Sequence, residues 1–369
     1  MKKTTKSLHA KVDTSNDAPI STPIYQASAF EAHSDFFYSR KNNPNVEEFE
    51  QAVGLLEDTK HALATTTGMS AVTMTLHLLK PGQHLIINKF LYGCSYKLFQ
   101  WFCNQYQIKL SILNLSDKDK WDELPMADMV FFETPTNPFL YTVNIEKISA
   151  LFKAKNKDTL IVVDNTWATP LFQQPCKHGA DISLHSATKY FGGHSDVMGG
   201  IILTDNELIY NDLLSNRFYF GSNLGPYSAW LLRRSLFTLD VRLAKHKTTT
   251  LELKEFLEKR KEVARIYYPD VDGIQLTDYA TLIFFELAEE FKDKYTQLAQ
   301  SLHLFSTGTG MACVTSMIAQ PFSGSHASMD DSEKYEMGLD ERLVRLSFGL
   351  EDVQDLMSDL RQGLDALHD

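Results

Sequence analysis

Between residues 61 and 203 the chain alternates short apolar runs with amphipathic stretches, and that rhythm limits the folds open to it. Runs of four or five residues lie at 61–64, 84–87, 109–113, 129–132, 160–163, 182–185 and 200–203. They are too short for helices and several are rich in β-branched residues, so they read as buried strands. The intervening segments 70–79, 96–105 and 145–155 carry helical spacing. Strands that alternate with helices imply an α/β fold, a mostly parallel sheet covered on both faces. Ligands of such a sheet lie beyond the carboxyl ends of its strands.

Outside that region the pattern changes. Residues 1–45 are punctuated by Pro19, Pro23 and Pro44 without helical periodicity and read as an extended arm. A helix is expected from about Val46, with Asn45 as its cap. After Pro226 one long helical stretch is expected over 228–260, followed by strands at 280–286, 313–318 and 343–346. The last helix, 352–367, puts Leu356, Leu360, Leu364 and Leu367 on one stripe. The expected division is an arm (1–45), a ligand-binding sheet domain (46–240) and a smaller C-terminal α+β domain (241–369).

Composition narrows the function. A net charge of −11 speaks against nucleic acid or an anionic membrane as a general partner. The basic start lacks a following apolar core, so no secretory signal is expected. Nothing approaches the roughly 20 apolar residues that cross a bilayer. Cys94, Cys103, Cys176 and Cys313 are widely spaced, which fits reduced thiols in a cytoplasmic enzyme rather than a disulfide framework.

The strand ends carry the candidate chemistry. Asp181-Ile182-Ser183-Leu184-His185 runs into Ser186-Ala187-Thr188-Lys189, which sets one amine and two hydroxyls at a single point. Such a point suits pyridoxal 5′-phosphate (PLP), which needs a covalent amine partner and an anion cradle; a surface lysine is the plainer reading. Ile161-Val162-Val163 ends in Asp164, a carboxylate that either caps a helix or keeps a pyridine nitrogen protonated. Gly68, in Thr65-Thr66-Thr67-Gly68-Met69, opens a helix start to an anion or simply makes a turn. Asn137 follows another strand and offers an amide to a ring oxygen; Tyr92 offers an aromatic face. His185, His194 and Asp196 match no zinc spacing, and no phosphate-loop lysine motif occurs.

With these residues in view, the chain resembles the Cys/Met-metabolism family of fold-type I PLP enzymes. The matching segments run in order along nearly the whole chain: 19–30, Tyr38-Ser39-Arg40, Thr67-Gly68-Met69, Tyr92-Gly93, 133–138, 163–170, 185–200, 234–242 and 344–351. The resemblance implies an aspartate-aminotransferase-like fold and a small amino-acid substrate undergoing β- or γ-elimination, or γ-replacement with an activated homoserine. It implies that Lys189 holds the cofactor as a Schiff base and shuttles protons, and that Asp164 pairs with the ring nitrogen. Gly68, Met69, Ser186 and Thr188 would hold the phosphate. Tyr92 would stack on the ring and protonate the leaving group, Asn137 would lie near the ring hydroxyl, and Arg345 would grip the substrate carboxylate. Tyr38 and Arg40 would reach a neighbouring subunit's phosphate site, which implies a homodimer, usually within a tetramer.

Some positions depart from the family pattern. Thr309 stands where cystathionine-handling members carry Glu, which removes a charge partner worth about 1–3 kcal/mol. Gly310 replaces a serine near the substrate carboxylate. Cys94 is similar to the cysteine of methionine γ-lyases, as a catalytic group or a packed small side chain. Arg217-Phe218 does not reproduce the Lys-Asp pair that accompanies that cysteine.

Overall fold

The structure is a computed structural model, and it describes residues 2–11 and 19–369. Among these residues the larger sheet has seven strands: β1 (His61–Thr65), β2 (His84–Asn88), β3 (Lys109–Leu113), β4 (Met129–Glu133), β5 (Leu160–Asp164), β6 (Ile182–His185) and β7 (Gly200–Thr204). They are the seven runs expected from sequence, extended by at most one residue. The order is β1-β7-β6-β5-β4-β2-β3. Strands β2 to β6 pair in parallel, whereas β7 runs antiparallel to both β6 and β1. The reason lies in the connection. Residues 186–199 contain turns and bends but no crossover helix, and a parallel partner would require a crossover. That return turn carries Lys189.

Both faces of the sheet are covered, which is why its strands are continuously apolar. Alternate residues sort between two cores. Leu85, Ile87, Met129, Phe131 and Val162 face one. Ile86, Val130, Phe132, Ile161 and Val163 face the other, packed on Ile148 and Phe152 of helix Ile145–Lys155.

The second sheet comprises β8 (Val263–Tyr267), β9 (Leu282–Leu287), β10 (Ser306–Thr307), β11 (Met317–Ala319) and β12 (Leu343–Ser347), in the order β10-β11-β12-β9-β8. Helix Val353–Asp365 lays Leu356, Leu360 and Leu364 on Ile283, Phe285, Val344 and Leu346, and Leu367 completes the stripe. Each such leucine contributes about 1.5–3 kcal/mol. Because Val344 and Leu346 face this core, period-2 alternation sends Arg345 to the opposite face.

Several expectations are corrected. The first long helix is Pro44–Glu57, and its cap is Asn43, whose side chain accepts from the Asn45 N–H. Asn45 instead pins the arm: its Oδ1 accepts the Tyr25 N–H at 2.8 Å, and its amide donates to the Pro23 carbonyl at 2.8 Å. The irregular arm contains a short helix, Lys3–Leu8. The stretch 228–260 is two helices, Pro226–Leu236 and Leu239–Leu257, broken at Phe237-Thr238. The strand expected at 313–318 shrinks to β11. Ala312 turns the chain at φ 60°, and the N–H groups of Val314 and Ser316 are taken by the Gly193 carbonyl (2.9 Å) and the Glu351 carboxylate (2.7 Å). Helix Glu207–Phe220 and strand β8 were not anticipated.

Candidate active site

The carboxyl ends of β1, β2, β4, β5 and β6 open onto a cavity of about 410 Å³. After β1, the Thr67 hydroxyl caps helix Gly68–Leu76 by accepting the Ser70 N–H at 3.0 Å. That leaves the first N–H groups of the helix facing outward, the arrangement that binds anions. Gly68 is required there: a Cβ would stand 2.8 Å from the Ser186 Cβ and 2.9 Å from its Oγ. After β2, Tyr92 immediately precedes helix Gly93–Tyr106. Asp164 ends β5 and accepts the Thr166 N–H at 2.9 Å; the Thr166 hydroxyl accepts the Ser186 N–H at 2.8 Å, which ties the β5 end to the lysine turn. Thr188 exchanges hydrogen bonds with the Gly199 backbone at 3.1 and 3.3 Å, closing that turn. Arg345, from the smaller sheet, completes the wall and donates from Nη2 to the Gly310 carbonyl at 2.8 Å.

The electrostatics follow from burial. Desolvation, with the Arg345 charge second, lowers the Lys189 pKa and favours the neutral, nucleophilic amine. Burial also brings Arg345 down to about 10. The Tyr92 phenol is pushed up to about 12 by burial, with the Cys94 thiol and the Glu133 carboxyl adding to it and Arg345 opposing. Burial raises Asp164, against hydrogen bonds from Thr166 that favour the carboxylate.

Nine of the eleven residues expected at the site line this one cavity: Gly68, Met69, Tyr92, Asn137, Asp164, Ser186, Thr188, Lys189 and Arg345. The sequence profile of Cys/Met metabolism PLP-dependent enzymes matches residues 4–365. This chain belongs to that family. It is 33% identical to a cystathionine β-lyase of Lactococcus lactis subsp. cremoris and 33% identical to an L-methionine γ-lyase of Fusobacterium nucleatum subsp. polymorphum, each over 98% of both chains. Its fold superposes on the crystal structure of a cystathionine γ-synthase from Xanthomonas oryzae pv. oryzae with a TM-score of 0.95 and 30% identity, over 100% of this chain and 99% of the other. It is thus a PLP-dependent enzyme of fold type I.

The residues present fit that cofactor. Gly68 leaves the space between helix start and lysine turn open to a phosphate. Asn137 Oδ1 and Arg345 Nε are buried without hydrogen-bond partners and so await groups that the protein itself does not supply. The donor set matches part by part: an amine for an aldehyde, a carboxylate for a pyridinium, and N–H and hydroxyl groups for a phosphate.

Tyr38 and Arg40 lie elsewhere. Both are exposed; the Arg40 guanidinium sits 4.1 Å from the Phe218 ring centre and donates to the Phe218 carbonyl at 2.8 Å. Thr309 lines the cavity mouth. The Ser328 hydroxyl lies 4.0 Å from the Cys94 sulfur. Arg217 is buried away from the site, paired with Glu50 at 2.6 Å. His185 is bound to the buried Glu57 at 3.1 Å and His194 to the Gly192 carbonyl at 2.7 Å. Among the described residues no three metal-ligating side chains converge, and no helix is long and apolar enough to cross a membrane.

Sequence reasoning missed Glu133, Trp167 and Ser325, which also line the cavity. Glu133 had the same signal as Asp164, a carboxylate closing a strand of four apolar residues. Ser325 had none, since it arrives from a distant loop.

Proposed function

We propose that the protein cleaves sulfur amino acids by PLP-dependent β- or γ-elimination. What carries this reading is the convergence of Lys189, Asp164, Tyr92 and Arg345 on one buried cavity. Arg345 grips the substrate carboxylate, its unpaired Nε supplying the second donor of a bidentate contact. The Lys189 amine, whose neutral form is favoured by desolvation, takes the α-proton at Nζ and returns it. Asp164 would keep the proton on the ring nitrogen, Asn137 would meet the ring hydroxyl, and Gly68, Met69, Ser186 and Thr188 would hold the phosphate. The cofactor supplies an electron sink for charge developing at the substrate Cα. Tyr92, protonated throughout the physiological range, delivers a proton to the departing sulfur.

A second reading, γ-replacement on an O-acylhomoserine, is supported by the likeness to a cystathionine γ-synthase. Incubation with methionine, cystathionine and an acylhomoserine, with and without cysteine, separates the two. Keto acid and ammonia indicate elimination, and a thioether product indicates replacement.

The same proposal covers the assembly. Residues 1–45, of which 1 and 12–18 lie outside the described residues, would supply an arm whose Tyr38 and Arg40 complete a neighbouring subunit's site, with residues 46–240 binding the cofactor and residues 241–369 as the smaller domain. The exposure of Tyr38 and Arg40 on their own protomer supports a homodimer, within a tetramer built from two dimers. The four unpaired cysteines support the cytoplasm as its compartment.

A further inference from the structure

We propose that Glu133 is a positioning residue, a buried strut that fixes Tyr92 relative to Asp164 across the floor of the cavity. The inference rests on the reading of Tyr92 and Asp164 given above. Glu133 ends β4 directly opposite Asp164 in the parallel β4–β5 register. Its side chain is 2% exposed and forms part of the cavity wall. One carboxyl oxygen accepts the Tyr92 backbone N–H at 2.8 Å, and the other accepts the Trp167 indole N–H at 3.3 Å. The first contact holds the residue that starts helix Gly93–Tyr106. The second holds the segment three residues beyond Asp164, where the Trp167 ring also lines the cavity and meets Phe284 edge-on at 6.3 Å. One carboxyl group therefore spans from the proposed proton donor to the strand that bears the ring-nitrogen partner.

The protonation state suits the task. Burial, with the Asp164 charge second, pushes Glu133 well above the usual carboxylate range. Both oxygens act as acceptors, one for the Tyr92 N–H and one for the Trp167 indole N–H. Glutamine keeps the length and one acceptor, enough for the Tyr92 N–H, but turns a donor towards the Trp167 indole.

The test uses the loaded enzyme, with two readouts: turnover, and the visible circular dichroism of the bound cofactor. Glu133→Ala should lower kcat by about 10–100-fold, the scale of a misplaced catalytic group, and leave KM nearly unchanged. It should also alter the dichroic band, which a merely stabilising residue would not do. Glu133→Gln, which keeps the acceptor for the Tyr92 N–H and loses that for Trp167, should lie between Glu133→Ala and the wild type in both. In a Tyr92→Phe background, Glu133→Ala should cost less than about 3-fold further, because residues acting as one unit are not additive. If Glu133→Ala does not fold, Glu133→Asp takes its place, with a loss of about 10-fold and the same spectral change expected. Wild-type kcat and dichroism in Glu133→Ala or Glu133→Asp, a Glu133→Gln enzyme as impaired as Glu133→Ala, or full additivity with Tyr92→Phe would each overturn the inference. Absence of keto acid from the wild-type enzyme with every substrate would instead remove the functional reading beneath it.

Discussion

Lys189 is half-buried and feels the Arg345 charge, and both circumstances favour its neutral form. Lys189→Ala should therefore abolish keto-acid release, by more than about 10³-fold, since it removes both nucleophile and proton carrier. The cofactor should remain partly bound through the other groups; undiminished turnover would contradict the assignment. Arg345→Ala should raise KM by about 10–100-fold, as expected for loss of a charge-assisted pair, with the smaller effect on kcat. An unchanged KM in steady-state assays would exclude the carboxylate role. At this scale much was legible in the sequence, because a polar residue that closes an apolar strand must lie at the sheet's carboxyl edge. Asp164 was read that way. Glu133 obeys the same rule, but its partners, the Tyr92 N–H and the Trp167 indole, come from other strand ends that no local pattern joins to it.

Helices and strands were legible where periodicity was strong and were lost where side chains override it. Asn43 and Asn45 are both good caps by type; only the arm, which claims Asn45 through Tyr25 and Pro23, decides between them. Asn43→Ala should destabilise helix Pro44–Glu57 by about 1 kcal/mol in chemical denaturation. At the start of β7, Gly200 leaves no room for a side chain: a Cβ would lie 2.2 Å from the Thr67 carbonyl oxygen. Gly200→Ala should cost about 1–3 kcal/mol by overpacking and loosen the Thr67-Gly68 turn, seen as weaker cofactor retention on dialysis. Helix Leu239–Leu257 buries His246 completely. Desolvation, aided by the Arg242 and Lys245 charges, lowers its pKa to about 4, against hydrogen bonds to the Phe348 and Gly349 backbone that raise it. The unfolded chain, with a histidine near 6.5, therefore binds more protons between those values, and stability is lost as pH falls through that window. The loss amounts to up to about 3 kcal/mol. Urea midpoints from pH 7 to pH 4 should fall less steeply for His246→Gln than for the wild type.

For the whole molecule, order along the chain was legible and meeting across it was not. The alternation of runs and helices gave the parallel sheet, but no local pattern announced that β12 would carry Arg345 to the far wall of the cavity. Residues 313–318 read as a strand because Val314, Thr315 and Ile318 are β-branched, whereas the chain at 312–316 bends to fit against Gly193. Tyr38 and Arg40 lie outside the cavity of their own protomer. Arg40→Ala should therefore weaken cofactor retention in the assembled enzyme, and a wild-type monomer that sediments singly yet remains fully loaded would exclude the exchange between subunits. One feature bears on motion. The segment 186–199 leaves β6 and enters β7 beside it, so the turn that bears the reactive amine is tethered at both ends to the sheet. The amides bonded within that turn, those of Thr188, Lys189, Gly192 and Gly193, should then exchange with deuterium more slowly than those of the exposed residues 194–196.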